Sequence, residues 1–364
     1  MICLRILSLF DGMACGMIAM KNAGVQIDTY DAFEIDKYAI RTATHNFPEI
    51  REHGDVFAAD FSRFHGYDFL IGGSPCTHWS VAQHADRRET TASGIGWELF
   101  SQYVRALKEC QPKMFIYENN KSMSRDIRDS ISKTFGFEPV CINSALLSAQ
   151  NRNRLYWAGI RQEDGTYKRV NITQPEDRGV MLMDVIDQAL PMANKSHAIT
   201  ATEYKGQSIQ GFLGKARRAL VADPVKVWIR PRENDGVQTN GQAFRVYDAS
   251  GKACGIKANA GGAGGKTGLY AINASPTDKK IYTVRDGYVE ANGRKYPIKL
   301  GDGEYTIRKL TVSECKRLQT VPEWYDFSCV SNTQAYKMLG NGWTCDVITH
   351  IIRQCLEEFN NVSQ

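Results

Sequence analysis

The sequence predicts an α/β protein in which a parallel sheet is covered by helices on both faces, with a second, smaller and irregular β-rich domain. In the first 160 or so residues, short apolar runs alternate with amphipathic helical patterns, which is the rhythm of βαβ units. Beyond them the chain becomes rich in glycine and turns, and near the end the helical period returns. We therefore divide the chain into residues 1–161, 162–305 and 306–364, and expect the last helices to complete the first domain.

Six strands are predicted in the first domain, with amphipathic helices between them of which two segments are examples. The strands are apolar runs bounded by charged or turn residues, and the helices carry apolar residues at three- and four-residue spacing. The predicted strands are 4–10, 29–34, 68–73, 113–119, 138–143 and 154–160, and the helical segments are 36–47 and 97–110. The same spacing predicts helices within 311–319 and 342–359.

The composition is that of a globular protein with two or three domains. The chain has 364 residues, 43% of them hydrophobic, and a net charge of +5, which permits a polyanionic partner without requiring one. No apolar run approaches the roughly 18 residues of a membrane helix, and the apolar N-terminus is broken too early for a signal peptide. The ten cysteines form no CxxC pair, which argues against a structural zinc site. We expect a cytosolic protein with reduced thiols.

The turn after the first strand, "LSLFDGMACG", is a candidate nucleotide site. It follows a strand and opens a helix, where open α/β sheets bind ligands. Its glycines are only Gly12 and Gly16, so it does not match GxGxxG, and a plain tight turn fits equally well. Glu34 ends the next strand, where an acidic side chain can reach ribose hydroxyls, although a solvated carboxylate also fits.

A second candidate site begins at "LIGGSPCTHWS", which places Cys76 on a tight turn after a strand. A free thiol is mostly protonated at pH 7, so a nucleophile here needs a positive partner or an acid acting on the substrate. Taken alone, Cys76 is better explained by a structural role. However, Glu118 lies near the end of the next predicted strand, and Arg152 and Arg154 lie two residues apart on one face of an extended segment. The convergence of a thiol, a carboxyl group and two guanidinium groups predicts an active site.

These segments resemble the motifs of the DNA cytosine C5-methyltransferases, over nearly the whole chain and in the family's order. The most specific set is "GGSPC" for the Pro-Cys loop, "YENN" for the Glu-Asn motif and "QNRNR" for QxRxR. The other matches are "LFDGMACG", "FEID", "GDV", "RKLTVSECKRLQTVPEWY", which resembles the helix that braces the variable domain, and "GNGWTCDVI". The resemblance implies a Rossmann-like, S-adenosylmethionine-dependent methyltransferase sheet and a target recognition domain.

The resemblance also implies residue roles. Cys76 would add to C6 of cytosine while Glu118 donates a proton to N3, which makes C5 nucleophilic. We assign Arg152 to the Cys76 loop and the substrate, and Arg154 to ordering Glu118 and the base. The implied catalytic residues are Pro75, Cys76, Glu118, Asn119, Arg152 and Arg154. The implied residues for S-adenosylmethionine, whose product is S-adenosylhomocysteine, are Phe10, Asp11, Gly12, Met13, Ala14, Glu34, Ile35, Asp55, Val56, Asn341 and Trp343.

Two segments depart from the family pattern. In "FDGMAC", Ala14 and Cys15 stand where the usual FAGxGG has glycines, so the cofactor's identity is better defined than its affinity. In the nucleophile loop, Thr77 and Trp79 replace the usual Gln and Phe. The second departure concerns the contacts of this loop with DNA rather than the chemistry.

Duplex DNA is the expected partner, and the target cytosine must leave the stack to be reached. The polar stretch 77–96 has the composition of a lid, with Ser80, Gln83, Arg87 and Arg88 as candidate DNA contacts. In the inserted domain, the basic segment 204–232 suits phosphate contact and groove readout. Its candidate contacts are Lys215, Arg217, Arg218, Arg230 and Arg232.

Three alternatives share parts of this pattern. A tRNA cytosine methyltransferase has the same fold and mechanism but generally a small target domain. A non-catalytic DNA-binding relative would lack a reacting group, and a small-molecule methyltransferase would not need the insert. The compact chain resembles a monomeric bacterial or phage enzyme.

Overall fold

The computed structural model of the chain describes residues 3–80, 85–187 and 310–362, together with short stretches between them. These stretches are 226–229, 245–248, 269–273, 281–291, 293–298 and 301–308. The described strands form an eight-stranded and a seven-stranded sheet. The predicted fold class, an α/β sheet with a separate β-rich part, is confirmed.

The large sheet has the strand order β3-β2-β1-β4-β5-β7-β6, with β8 paired to β7. All six predicted strands are present. The strand bounds are β1 Cys3–Leu9, β2 Gln26–Phe33, β3 Arg51–Glu52, β4 Phe69–Gly72, β5 Met114–Asn120, β6 Val140–Asn143, β7 Asn153–Arg161 and β8 Tyr167–Arg169. The domain boundaries at 161 and 305 stay predictions; β8, although it follows 161, lies in the large sheet.

One strand departs from the expected parallel arrangement. Strands β3, β2, β1, β4 and β5 run parallel to one another, whereas β7 is antiparallel to β5, β6 and β8. The link between β6 and β7, residues 144–152, is too short for the helical crossover that a parallel pair requires. Strand β7 therefore turns back beside β6 and inserts between it and β5.

Helices cover both faces of the large sheet. Alternate residues of β1 enter different clusters, because Ile6 faces one side and Leu7 the other. The first cluster includes Ile18 and Ile348, and the second includes Phe100 and Ile127. The helices are α1 Cys15–Asn22, α2 Lys37–Asn46, α3 Gly94–Cys110, α4 Arg125–Phe135, α5 Val312–Leu318, α6 Asn332–Asn341 and α7 Cys345–Val362.

The second sheet has the strand order β14-β13-β12-β15-β11-β10-β9 and is antiparallel except between β10 and β11. Asp286 and Gly287, with φ of 52° and 75°, form the tight turn between β12 and β13. Val284 and Val289 lie in its small apolar core. The strand bounds are β9 Lys226–Ile229, β10 Arg245–Asp248, β11 Leu269–Asn273, β12 Tyr282–Arg285, β13 Tyr288–Ala291, β14 Arg294–Pro297 and β15 Gly303–Arg308.

Within the described part of the chain, we find no helix that combines the length and the apolar character needed to cross a membrane.

Candidate active site

The turn that carries Cys76 lies against β1 and β5. A Cβ on Gly72 would come within 2.7 Å of the Leu9 carbonyl oxygen, and one on Gly73 within 2.9 Å of the Glu118 carbonyl oxygen. Glycine is therefore required at both positions for the turn to approach its neighbours. The half-buried Cys76 follows the exposed Pro75 and begins a short 3-10 turn, Cys76–His78.

The Glu118 carboxylate lies beside this turn, near the carboxyl end of β5. Glu118 is only 9% exposed, and its two carboxylate oxygens have different partners. Arg154 Nε lies 3.0 Å from Oε1, and the Trp343 indole Nε1 donates to Oε2 at 3.0 Å. Arg154 is itself buried, because β7 runs beside β5 and pairs its Tyr156 with Glu118. The predicted pairing of Arg154 with Glu118 is thus present.

Arg152 is buried but contacts a different segment from the one we predicted. Its guanidinium donates to the carbonyl oxygens of Gly340 and Gly342, the latter at 2.9 Å. Burial, aided by Arg154, lowers the pKa of Arg152 to about 10, while Glu118 and Cys76 oppose this shift. Arg152 therefore stays charged at neutral pH and fastens β7 to the segment before α7. The hydrogen bonds that we expected toward the Cys76 loop are made to these glycine carbonyls.

Asn119 joins the nucleophile turn to β5. Its Nδ2 donates to the Ser74 carbonyl oxygen and to the Tyr117 hydroxyl, both at 3.1 Å. The hydroxyls of Ser74 and Tyr117 lie 2.6 Å apart. These groups are buried, so their hydrogen bonds fix the residue two positions before Cys76.

The candidate cofactor turn between β1 and α1 contains three residues in the left-handed region. Phe10, Gly12 and Ala14 have φ of 57°, 62° and 60°. For Phe10 and Ala14 this conformation costs roughly 1–2 kcal/mol each, so the packing around the turn must impose it. The Gly12 amide donates to Glu34 Oε2 at 2.9 Å, and the Tyr325 hydroxyl donates to the Met13 carbonyl oxygen at 2.6 Å.

Glu34 orders the adjacent strand end as well. Its Oε1 accepts hydrogen bonds from the amides of Ile35 and Asp36, both at 2.8 Å. Oε2 accepts only the Gly12 amide within the described structure, which leaves a lone pair for a ligand. Two residues with exposed apolar side chains are close by in the chain: Ile35 follows Glu34 directly, and Phe57 lies two positions after Asp55.

Two further carboxyl groups lie near this turn. Asp11 accepts the hydroxyls of Ser8 and Tyr30 at Oδ1, whereas its buried Oδ2 has no partner among the described residues. Burial raises its pKa to about 6, against those two hydrogen bonds. Both oxygens of Glu52 are likewise buried and unpartnered within the described ranges. Burial, followed by the charges of Asp11 and Glu34, raises the pKa of Glu52 to about 8.

The remaining predicted cofactor residues lie in varied environments. Asp55 caps a 3-10 turn by accepting the Phe57 amide at 2.9 Å, and Val56 is buried behind it. Asn341 is exposed at the end of α6. Trp343, expected at the cofactor, contacts Glu118.

Three of the nine predicted DNA contacts lie among the described residues. Ser80 is buried, Arg87 is exposed and Arg88 is half-buried. The others lie outside the described residues, namely Gln83, Lys215, Arg217, Arg218, Arg230 and Arg232. Within the described part of the loop, Glu89 Oε2 accepts the Trp79 indole N–H at 3.1 Å.

A buried glutamine pair connects β7 to the C-terminal helices, and the sequence did not reveal it. Gln150 Nε2 donates to Gln319 Oε1 at 3.1 Å, and Gln319 Nε2 donates to the Leu339 carbonyl oxygen at 2.6 Å. Thr344 also donates to Gln319 Oε1. Both glutamines belong to motifs that the resemblance identified, so the motifs pointed to these segments but not to these side chains.

The strand order, with an antiparallel β7 in a parallel sheet, and the Cys-Glu-Arg site define a class of methyltransferase. Residues 4–357 match the family of C-5 cytosine-specific DNA methylases, and the chain belongs to this family. The resemblance stated from the motifs is therefore confirmed.

The individual relatives come from phages and bacteria. The orphan methyltransferase M.SPRI of Bacillus phage SPR is 28% identical over 98% of both chains, and M.Phi3TI of Bacillus phage phi3T is 24% identical over the same shares.

Among solved structures, the Dnmt2 methyltransferase of S. pombe superposes with a TM-score of 0.61 at 14% identity, covering 99% of this chain and 100% of that one. The Entamoeba histolytica methyltransferase EhMeth also gives 0.61, at 12% identity, over 98% and 99% of the two chains. These structures share the fold.

Proposed function

We propose that this chain is an active DNA cytosine C5-methyltransferase with Cys76 as its nucleophile and S-adenosylmethionine as its methyl donor. One observation carries the proposal. The Cys76 turn, the Glu118 carboxylate and the Arg154 guanidinium meet at one edge of the sheet, with Arg154 Nε 3.0 Å from Glu118 Oε1. Family membership supports the reaction class.

The proposed reaction has three steps, namely addition of Cys76, methyl transfer and elimination. Cys76 loses its thiol proton to solvent and its sulfur bonds to C6 of the flipped cytosine, and the displaced electron pair makes C5 nucleophilic while Glu118 supplies a proton to N3. When bound, S-adenosylmethionine supplies an electrophilic methyl group to C5 and leaves as S-adenosylhomocysteine. Loss of the C5 proton to solvent then restores the double bond and expels the Cys76 thiolate.

Arg154 pairs with Glu118 in the absence of substrate, with its Nε 3.0 Å from Oε1. Because an ionised carboxyl group accepts hydrogen bonds and cannot donate one, Glu118 takes up a proton from solvent as the base enters and passes it to N3. The proton returns from N3 to Glu118 when the methylated base is released. Arg152 supports the pair of Arg154 and Glu118 indirectly, because it binds the Gly340 and Gly342 carbonyl oxygens and so fixes the segment before α7.

The turn between β1 and α1 fits S-adenosylmethionine. The buried, unpartnered Asp11 Oδ2 is an acceptor suited to the ammonium group, and the remaining lone pair of Glu34 Oε2 suits a ribose hydroxyl. The exposed side chains of Ile35 and Phe57 offer apolar surface for a purine ring. We assign the cofactor to these residues and to the other positions predicted from the motifs.

Duplex DNA is the proposed partner, and the β-rich domain is proposed to read its sequence. The basic segment 204–232 that carries this expectation lies outside the described residues. We propose a monomeric enzyme that acts in the bacterial cytoplasm.

Covalent trapping tests the proposed function. The protein and S-adenosylmethionine are incubated with duplex DNA containing 5-fluorocytosine, which cannot lose a proton from C5. We expect a denaturant-resistant complex with the wild type and none with Cys76→Ser. Trapping on tRNA but not on any duplex would make the substrate RNA, and no trapping on either would favour a non-catalytic DNA-binding relative.

Replacement of Arg154 tests the assignment of Glu118. Arg154→Ala leaves a buried carboxylate without its cation, so we expect turnover to fall about 100-fold, the lower end for a displaced acid–base group. Arg161→Ala, at the far end of β7, is the matched control, because Arg161 contacts Gln111 away from the site. Normal base binding together with normal turnover in Arg154→Ala would refute the assignment.

A further inference from the structure

The Trp343 indole contacts the catalytic carboxylate directly. Its Nε1 donates to Glu118 Oε2 at 3.0 Å, while Arg154 occupies Oε1 at the same distance. Each oxygen of Glu118 therefore has its own donor, one charged and one neutral. Two donors on opposite oxygens fix the rotation of a carboxylate about its last bond, which a single donor does not.

The contact between Trp343 and Glu118 depends on a glycine. A Cβ on Gly73 would lie 2.9 Å from Glu118 Oε2 and 3.5 Å from Trp343 Nε1. A side chain at this position would push into the hydrogen bond, so the nucleophile turn leaves room for it. The indole, the carboxylate and the Cys76 turn thus form one packed unit.

The residues on both sides of Trp343 are also held by hydrogen bonds, one through its backbone and one through its side chain. The Gly342 carbonyl oxygen accepts from Arg152 at 2.9 Å and from Gln319 Nε2 at 3.3 Å. On the other side, the Thr344 hydroxyl donates to Gln319 Oε1 at 2.9 Å. The indole is therefore presented by an anchored segment, and its direction is set before any ligand binds.

We propose that Trp343 is a positioning residue that orients Glu118 through its indole N–H and so couples the segment before α7 to the catalytic carboxylate. This inference deepens the proposed function and rests on the role given there to Glu118. It assigns Trp343 a contact with the acid in addition to the cofactor contact that the motif implies.

A spectroscopic test examines the contact without catalysis. The chain has six tryptophans, so an ¹H–¹⁵N spectrum shows six indole signals, and the one absent from Trp343→Phe belongs to Trp343. We expect Glu118→Gln to move this signal while the other five stay in place. A Trp343 signal that does not move in Glu118→Gln would overturn the proposal. If Trp343→Phe does not fold, sequential backbone assignment identifies the same signal, so the test does not depend on that variant.

A kinetic test separates positioning from cofactor binding. Trp343→Phe keeps an aromatic face but removes the donor, so we expect kcat to fall about tenfold, which equals roughly 1.4 kcal/mol, with little change in the KM for S-adenosylmethionine. Loss of a donor to the carboxylate favours its protonated form, so the pH dependence of kcat should move to higher pH. The other groups that act on this carboxylate or its neighbours are unchanged, namely Cys76, Tyr117, Arg152, Arg154 and Tyr156.

Trp324→Phe is the matched control, because the Trp324 side chain is exposed and packs on Phe47 and Tyr325. It should leave kcat, the pH profile and the Trp343 signal as in the wild type. A Trp343→Phe enzyme with unchanged kcat and pH profile, or one with only a raised KM for S-adenosylmethionine, would refute the positioning role. If the wild type methylates no DNA, the proposed function fails, while the spectroscopic contact is still decided.

Discussion

The buried carboxyl groups of this protein differ in how many of their oxygens have hydrogen-bond or ion-pair partners. Glu118 has a donor on each oxygen, and Asp11 has two hydroxyl donors on one oxygen and none on the other among the described residues. Glu52 has none on either within the same described part. A buried carboxylate without hydrogen-bond donors is costly, so folding favours the protonated form of such a group. Folding therefore raises the pKa of Glu52 more than that of Asp11.

Glu52→Gln should stabilise the protein at alkaline pH. Burial, with Asp11 and Glu34, raises the pKa of Glu52 from 4.5 in the unfolded chain to about 8 in the folded one. A raised pKa means that stability is fully present below about 4.5 and is lost as the pH rises through about 8. We expect the variant to exceed the wild type by about 1 kcal/mol in free energy of unfolding at pH 9, because the residue is partly exposed although its carboxylate oxygens are buried, and by nothing at pH 4.

Urea unfolding of the cofactor-free protein at pH 4 and pH 9 measures this difference. Glu49→Gln serves as the control, because Glu49 is exposed and paired with Lys21 at 2.9 Å. It should gain no stability at pH 9. An equal effect of Glu52→Gln at both pH values would mean that its carboxyl group does not titrate in this range.

Among the elements, the beginning of α3 is tied to the nucleophile turn through Glu89. The fully buried Trp79 donates its indole N–H to Glu89 Oε2 at 3.1 Å, and the Gly96 amide donates to the same oxygen at 3.0 Å. A Cβ on Gly96 would lie 2.4 Å from Trp79 Nε1, so helix and indole are in close contact. His78 Nδ1 lies 3.4 Å from Glu89 Oε1.

Glu89→Ala should therefore loosen the loop. It leaves the buried Trp79 indole without an acceptor, which costs about 1–3 kcal/mol, and frees the turn that carries Cys76. We expect a lower melting temperature and faster proteolytic cleavage within 77–96. Glu98→Ala, on the exposed face of α3, should change neither, and Glu89→Gln should retain most of the stability because an oxygen acceptor remains.

The elements themselves were largely predictable, because strands of the large sheet are nearly continuous apolar runs. The direction of β7 was not, since apolar content does not state which way a strand runs. Helix α6 was missed because its sequence, "NTQAYKMLGN", has few apolar residues. Cys76, Glu118, Arg152 and Arg154 followed from motifs, whereas the partners of Trp343 and Glu89 depend on side-chain directions that spacing alone does not determine.

For the whole molecule, long-range hydrogen bonds join the site to the C-terminal helices. Gln150 and Gln319 are 169 positions apart and fully buried, and the Arg152 bonds to Gly340 and Gly342 span nearly 190 positions. Helix α5 reaches the other way, where Arg317 donates to the Val185 carbonyl oxygen at 2.6 Å. No local pattern reports contacts of this range, so the sequence could place the segments but not join them.

Gln319→Leu tests whether these contacts hold the site together. The substitution leaves Gln150 Nε2, the Thr344 hydroxyl and the Leu339 carbonyl oxygen short of a buried partner, so we expect a loss of about 2–4 kcal/mol in the free energy of unfolding. It also removes one of the two hydrogen bonds on the Gly342 carbonyl, beside Trp343, so weaker cofactor binding should accompany the loss. Urea unfolding and calorimetric titration with S-adenosylhomocysteine measure the two effects.

Gln334→Leu is the matched control, since its buried Oε1 has no partner among the residues that the structure describes. Removing an unsatisfied acceptor from α6 should cost nothing in stability and leave cofactor binding unchanged. If Gln319→Leu lost stability but bound S-adenosylhomocysteine as tightly as the wild type, the glutamine pair would support only the packing of the C-terminal helices. If both properties fell together, the same hydrogen bonds that close the fold would also shape the cofactor site, and the segment before α7 would be the part of the molecule through which folding and catalysis are joined.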